Sequence, residues 1–364
     1  MAAWLAAVAL GARGHYAAAA THLGPLARSP DPVLAALAAA TRASHLRQVG
    51  GHAAARSWDA RGLHRLTAAR AADAGPDGAP GLAAAARAEA RLALAADARA
   101  EVPLDLAADA PADVQLGLAA DGRREVPLDL AADAPVDVRL GLAADARRKE
   151  PLGLAADGQR DVPLDPAADV WRDVPLGLAA GGRSDVQLGL AADARSDVLL
   201  GLAADAVGLG RVGEARRLVA LDTGDVSPRC RVRRSWLRAE IELAAGNAPA
   251  AIAPARAALG IEFGSIRHRV KSAIVLGAAL AATGERDEAE ELLVGNLRIA
   301  ADRGLRPLVW PAALVLDQLG HTERKEQAVD ALRCVLRHSD PIARCHAEAS
   351  PWVPTWLFAS APNR

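Results

Sequence analysis

The sequence predicts an all-α protein built of antiparallel helical hairpins and interrupted by a low-complexity tract of 12-residue repeats. Three observations carry that expectation. Alanine fills about a quarter of the 364 positions and aromatics only 3%, which suits closely packed helices and argues against an aromatic-rich β domain. Glycines recur at a steady interval after Ala/Leu-rich segments, as turns between helices would. A leucine stands at every twelfth position from Leu92 to Leu200, the mark of an internal repeat.

Residues 1–98 form the first helical block, with helices expected over 2–12, 15–28, 32–48, 51–72 and 81–98. Gly14 and Gly50 punctuate it, and the stretch Asp73–Gly81, DAGPDGAPG, reads as a loop lengthening one connection. The opening Ala2–Leu10 is apolar, but no basic residue precedes it and it is too short to span a bilayer. Neither a signal peptide nor a membrane anchor is expected.

Residues 99–206 are the repeat tract. Its units read close to L-[GD]-L-A-A-D-[AG]-x-x-[DE]-V-P, and the same words stand at both edges, ALAADA at 93–98 and GLAADA at 201–206. Removing nine units of twelve joins the flanking patterns without a seam, so the tract reads as an in-frame copy multiplied inside an existing helix. On an α-helix each copy turns through about 1200°, a net 120°, so its leucines spiral and make no continuous stripe. Pro103, Pro127, Pro163 and Pro175 would interrupt such a helix as well. An even repeat keeps strand faces in register, but Gly, Asp, Ala and Pro are poor strand formers. Short strands and one-turn to two-turn helices stay open; disorder or loose turns are the expectation.

Residues 207–338 form the second helical block, with helices over 211–221, 229–245, 248–260, 266–282, 285–302, 307–319 and 322–338. The tail, 339–364, carries Pro341, Pro351 and Pro354 with Trp352, Trp356 and Phe358. It is expected to be an apolar strap capping the last hairpin, because a stacked array needs a cap.

With the tract subtracted, Gly14, Gly50, Gly210, Gly246, Gly284 and Gly320 are spaced 36, 52, 36, 38 and 36 residues apart. Ala follows five of them at the fifth position (Ala19, Ala55, Ala215, Ala251, Ala289), and a small residue precedes each by seven (Ala7, Ala43, Ala203, Ala239, Gly277, Ala313). Antiparallel helices approach closely only where side chains are small. The pattern resembles the tetratricopeptide repeat (TPR) family, whose unit is about 34 residues with Gly at the turn and Ala early in the second helix. The resemblance covers residues 1–98 and 207–338. It departs from the family where aromatic positions hold Leu, Val or His, Tyr16 excepted, and where Lys325 replaces the Ala after Gly320. It implies a TPR-like α-solenoid and a protein-interaction role.

With 43 Lys plus Arg against 44 Asp plus Glu and a pI near 6.8, no global attraction draws the chain to nucleic acid or an anionic membrane. Direct nucleic-acid binding is not expected. Cys230, Cys334 and Cys345 are odd in number and far apart, which points to a reducing, cytoplasmic setting. Gly208, Gly210 and Gly213 spell GxGxxG, but an Ala-rich helical run precedes them instead of the strand that a dinucleotide site needs. Cys334, His338, Cys345 and His346 are zinc-type ligands in a spacing that suits no tetrahedral site, so buried thiols and solvated imidazoles are expected. No phosphate loop, G-x-S-x-G or H-E-x-x-H occurs. No enzyme, cofactor or metal is expected.

The candidate binding residues lie in two matching segments, Arg229-Cys-Arg231-Val-Arg233 and Arg267-His-Arg269-Val-Lys271, 38 residues apart. No acid occurs from Ser227 to Ala239 or from Gly264 to Ala282. Cations at a helix start oppose the macrodipole, at about 0.3–1 kcal/mol each, so something else must favour them. The functional expectation is a basic ledge of Arg229, Arg231, Arg233, Arg267, Arg269 and Lys271 that meets an acidic or phosphorylated protein or peptide. The structural alternative is that these stems pack on helices or pair with acids such as Glu240 and Glu262. A non-catalytic adaptor follows as the first expectation. A detached sensor or scaffold region of a multi-domain transcriptional regulator is the second, since the first hairpin begins at residue 1 without a capping helix.

Overall fold

The computed structural model describes residues 1–73, 183–224 and 226–358, all within one compact unit. Among them every regular element is helical and no strand occurs. The helices are α1 (Ala2–Ala12), α2 (Tyr16–Ala27), α3 (Pro32–Arg47), α4 (His52–Asp73), α5 (Arg183–Gly208), α6 (Val212–Leu221), α7 (Pro228–Ala244), α8 (Ala248–Gly260), α9 (Ile266–Thr283), α10 (Arg286–Asp302), α11 (Arg306–Gln318), α12 (Arg324–Arg337) and α13 (Pro341–Glu348), followed by a 3-10 turn at Thr355–Leu357. Eleven of the expected helices are found with ends within two residues of their expected bounds. The helix expected over 81–98 lies outside the described residues.

The turn chemistry explains that agreement. All six spaced glycines sit at positive φ, from 72° at Gly210 to 106° at Gly320, the left-handed geometry that ends a helix and that a Cβ disfavours. The small positions around them are contact points between paired helices. Ala7, Ala43, Ala203, Ala239 and Ala313 are fully buried, and so are Ala19, Ala55, Ala215, Ala251 and Ala289. At Gly277 a Cβ would come within 2.6 Å of the Leu293 side chain, so α9 and α10 touch there through a missing side chain.

The tract expectation needs a correction at its C-terminal end. Residues 183–206 were expected among loose repeats, yet they form most of α5, and Ala194, Val198, Leu199, Leu200, Leu202, Ala203 and Ala206 are buried in the core shared by α1 to α7. A single pair of copies does not need a stripe. The copy at Leu200 faces the core, and the 120° rotation turns the previous copy toward α7. Burying each such leucine stabilises the fold by about 1.5–3 kcal/mol. Close approach is again set by glycine, since a Cβ at Gly201 would meet Asp59 of α4 at 2.1 Å and one at Gly208 would meet His52 at 2.2 Å. The expectation for residues 99–182 lies outside the described residues.

The two ends of the helical array meet. Tyr16, Ala43, Leu46, Val49 and Ala55 share a buried cluster with Val335, Ala343 and Ala347. The Ala17 amide donates to the His338 carbonyl at 2.8 Å, and Arg42 pairs with Asp340 at 2.7 Å. The tail past Asp340 begins as helix α13, then lays Val353 and Leu357 into the larger core and Trp356 under Lys325 of α12. Its Trp352 reaches back to the Gly208 carbonyl at 2.6 Å. The tail thus covers the last hairpin and also ties it to α3, α4 and α5.

Candidate functional site

The closed array surrounds a cavity of about 1810 Å³, lined by α1, α3, α5, α7, α9, α11 and the tail. Apolar side chains dominate its wall, among them Trp4, Leu5, Val8, Trp236, Ile274 and Trp310. Seven Arg and Lys side chains line it against four Asp and Glu.

The basic segments reach this cavity in part. Arg229 and Arg233 on α7, and Arg267 and Lys271 on α9, line the wall. Arg231 and Arg269 do not; both are exposed, and no partner touches either charge among the described residues. The ledge of six is therefore corrected to a wall of four. The reason is helix geometry: residues four apart share a face, whereas a residue two along points about 200° away.

The acids that favour the α7 start come from α5. Asp197, buried, takes Arg229 at 2.8 Å and Arg233 through an ion pair, and Asp193 adds a contact to Arg229 at 3.5 Å. Asp193 also accepts the Ser227 amide at 2.9 Å. Burial disfavours the Asp197 carboxylate, but Arg229 and Arg233 outweigh that and hold its pKa below the ordinary range. Burial with the nearby Asp197 pushes the Cys230 thiol up to about 12, so it is unreactive at neutral pH. Lys271 pairs with Glu240 at 3.0 Å and stands 4.9 Å from the centre of the Trp236 ring. Glu240 was named as a pairing acid from the sequence, and here it pairs.

Arg267 is different. Its guanidinium donates to Gln48 Oε1 of α3 at 3.2 Å, and no carboxylate lies within ion-pair distance among the described residues. Burial and the nearby Arg233 lower its pKa, with Tyr16 acting the other way. Around it sit two neutral imidazoles. His268 stacks on Trp236 at 5.3 Å, with its Nδ1 2.8 Å from Ser265 Oγ. Burial and the cations Arg267, Arg229, Arg233 and Lys271 hold its pKa well below the usual value. His45, on α3, stacks on Tyr16 at 4.8 Å; burial, with Arg42, Arg267 and Arg47, pushes it down to about 3.

At the end of α3, next to Gln48, the same residue type has its charge paired on two sides. Arg47 contacts Asp59 of α4 at 2.5 Å and Asp205 of α5 at 3.0 Å, both carboxylates buried. Burial opposes its charge, but Asp205 and Asp59 outweigh it and raise the pKa above that of free Arg.

Sequence reasoning missed His45, Arg47 and Gln48, which stand together at the end of the Ala-rich α3; polar residues on an otherwise apolar helix were the available signal. It also missed Asp193, Asp197 and Asp205, because the repeat words that contain them read as loose structure.

The other candidates are dispersed. Cys345 is exposed and Cys334 half-buried, against the expectation of buried thiols, while His338 Nδ1 bonds the Cys334 carbonyl. Among the described residues no group of three or more His, Cys, Asp or Glu is arranged to hold a metal ion. No helix there is long and apolar enough to cross a membrane. Gly208, Gly210 and Gly213 lie in a helix–turn–helix joint between α5 and α6. No protein-family model, curated protein or solved structure matches the chain.

Proposed function

We propose that this protein is a non-catalytic interaction module, a TPR-like α-solenoid of helical hairpins that takes an acidic protein or peptide partner on its inner wall. The observation that carries the reading is Arg267: a guanidinium on the cavity wall without a carboxylate, beside three cations that are already paired. A half-buried charge without a counter-ion is unfavourable, and an incoming acid would offset that cost. Repeated small-residue contacts behind positive-φ glycines support the TPR-like assignment. The closure of the array around a large cavity favours a second reading, in which the chain is the ligand-sensing region of a larger transcriptional regulator.

The test is charge reversal on the two faces. Partners recovered on the purified chain from its own cell lysate are identified by mass spectrometry, then compared for Arg267→Glu and Arg269→Glu. Loss with Arg267→Glu alone supports an inner-wall site. Equal recovery by both variants overturns it, and a co-purifying DNA-binding subunit favours the second reading.

A further inference from the structure

Several buried nitrogens on the cavity wall lack a hydrogen-bond partner, although His52 Nδ1 stands 3.6 Å from Asp205. Among its lining residues, the buried polar side-chain atoms without a partner are His45 Nδ1, Arg47 Nη2, His52 Nδ1 and Trp310 Nε1, all nitrogens. Among the described lining residues no side-chain oxygen is similarly orphaned. His45 is only 4% exposed, and its ring is fixed from behind, where a Cβ on Gly11 would run into Nε2 at 1.9 Å. Its neighbours are Tyr16, Gln48 and the guanidiniums of Arg42, Arg47 and Arg267. The charge of Arg42 is paired with Asp340, and that of Arg47 with Asp59 and Asp205. One unneutralised guanidinium therefore stands beside a neutral imidazole that has a free nitrogen.

We infer that Arg267, with His45, seats a single carboxylate head group whose apolar body fills the rest of the cavity: a free aliphatic carboxylic acid. Arg229, Arg233 and Lys271 beside it are already paired, so the free charge next to His45 is that of Arg267, and it suits a carboxylate. The volume exceeds the roughly 300–1,000 Å³ of most small-molecule sites, and Trp4, Leu5, Val8, Ile274 and Trp310 leave an extended aliphatic chain with apolar surroundings. The guanidinium's planar fork takes both oxygens of a carboxylate, and the low dielectric strengthens the pair. This rests on the inner wall being the binding surface, and it names a small-molecule ligand class for that wall.

The experiment is calorimetry on the full chain with decanoate and with decanol, which share an apolar chain and differ in the head. Decanoate should bind at least 10-fold more tightly than decanol. Arg267→Gln should weaken decanoate by about 10- to 100-fold, since one charge-assisted contact is lost, and leave decanol unchanged. Equal affinity for acid and alcohol, an acid affinity unmoved by Arg267→Gln, or no binding of decanoate overturns the inference. Should Arg267→Gln fail to fold, the preference for acid over alcohol in the unaltered protein decides alone. The partner-recovery test above is independent of these ligands, so failure here leaves the interaction reading to stand or fall by itself.

Discussion

Arg47 and Arg267 line the same cavity near the end of α3, and their surroundings differ in one respect. Arg47 sits between two buried carboxylates on α4 and α5, whereas Arg267 has an amide and no carboxylate. Both lie in low-dielectric surroundings, so the contrast is one of partner supply. α5 makes the difference. Its two LAAD words end at Asp193 and Asp205, twelve residues or about 18 Å apart along the axis and 120° apart around it. That rotation sends Asp205 to Arg47 and Asp193, with Asp197, to Arg229 and Arg233. α9 lies beyond the reach of either word, and Arg267 is left over. A closed triad is what structure alone requires; an open guanidinium on a cavity wall is what a ligand requires.

The largest effects separate the two arginines directly. Arg47→Met strands Asp59 and Asp205 together, and removing one member of a buried ion cluster costs about 3–5 kcal/mol. Arg267→Met removes a desolvated charge with no counter-ion, and should change stability by less than about 1 kcal/mol or increase it. Urea unfolding followed by circular dichroism measures both. Similar losses for the two variants would mean that Arg267 has a structural role equivalent to that of Arg47.

The next effect concerns α5. Deleting residues 99–182 removes seven whole units and keeps α5 intact, so the helical unit should unfold with unchanged cooperativity. Deleting residues 99–206 brings residues 91–98 into the place of 199–206. By sequence register this puts Arg91 where Leu199 is fully buried and Ala93 where Gly201 gives room to Asp59. A cation at a core leucine position and a Cβ against a buried carboxylate should lower stability by about 2–4 kcal/mol. Equal stability of the two deletions would show that the original edge packs as well as the last copy.

What could be read from the sequence follows the same division. Helix ends were legible because glycine at positive φ is a local requirement, and the small contact positions because they keep a fixed offset from those glycines. All four cations of the basic wall were legible too, as cations at matching helix starts, together with two that the wall leaves out. The acids that pair with it were not. Asp193, Asp197 and Asp205 lie in words repeated along the whole tract, and only tertiary packing distinguishes the last two copies from the rest. The open state of Arg267 was invisible for the same reason, since it depends on where α5 ends.

Acid should act through the imidazoles beside Arg267, those of His45 and His268, both held below their ordinary range by burial and the cations around them. The pKa of His45 is lowered from 6.5 to about 3 in the folded chain, so between those values the unfolded chain binds the extra proton. Stability is therefore complete above about pH 6.5 and falls with decreasing pH, at up to about 1.4 kcal/mol per unit. From pH 6.5 to pH 5.5 the loss from this group is about 1 kcal/mol, and His45→Gln should remove that share, leaving those of His268, His15 and His346. Asp197 and Asp340, both held below the ordinary carboxylate range against their burial by Arg229 and Arg42 respectively, add a further loss only below about pH 4. A profile that is flat from pH 7 to 5 in the unaltered protein would show that His45 is protonated at little cost, and that the cations around it are screened.

The smallest effect expected belongs to the two cations that the cavity leaves out. Arg231 and Arg269 are exposed, two residues from the neighbours that line the wall. Each lies in the opening turns of its helix, α7 from Pro228 and α9 from Ile266, neither of which has an acid in the first turn. Reversing both to Glu replaces an unfavourable charge at the positive end of the dipole with a favourable one, worth about 0.3–1 kcal/mol per site at low salt and less at physiological salt. The double variant Arg231→Glu/Arg269→Glu should therefore fold at least as stably as the parent, with a midpoint shift no larger than a few tenths of a molar in urea. It should bind decanoate with unchanged affinity. If it instead loses ligand or partner binding while its helicity stays constant, the outer face belongs to the binding surface, and the contrast between Arg47 and Arg267 no longer locates the site.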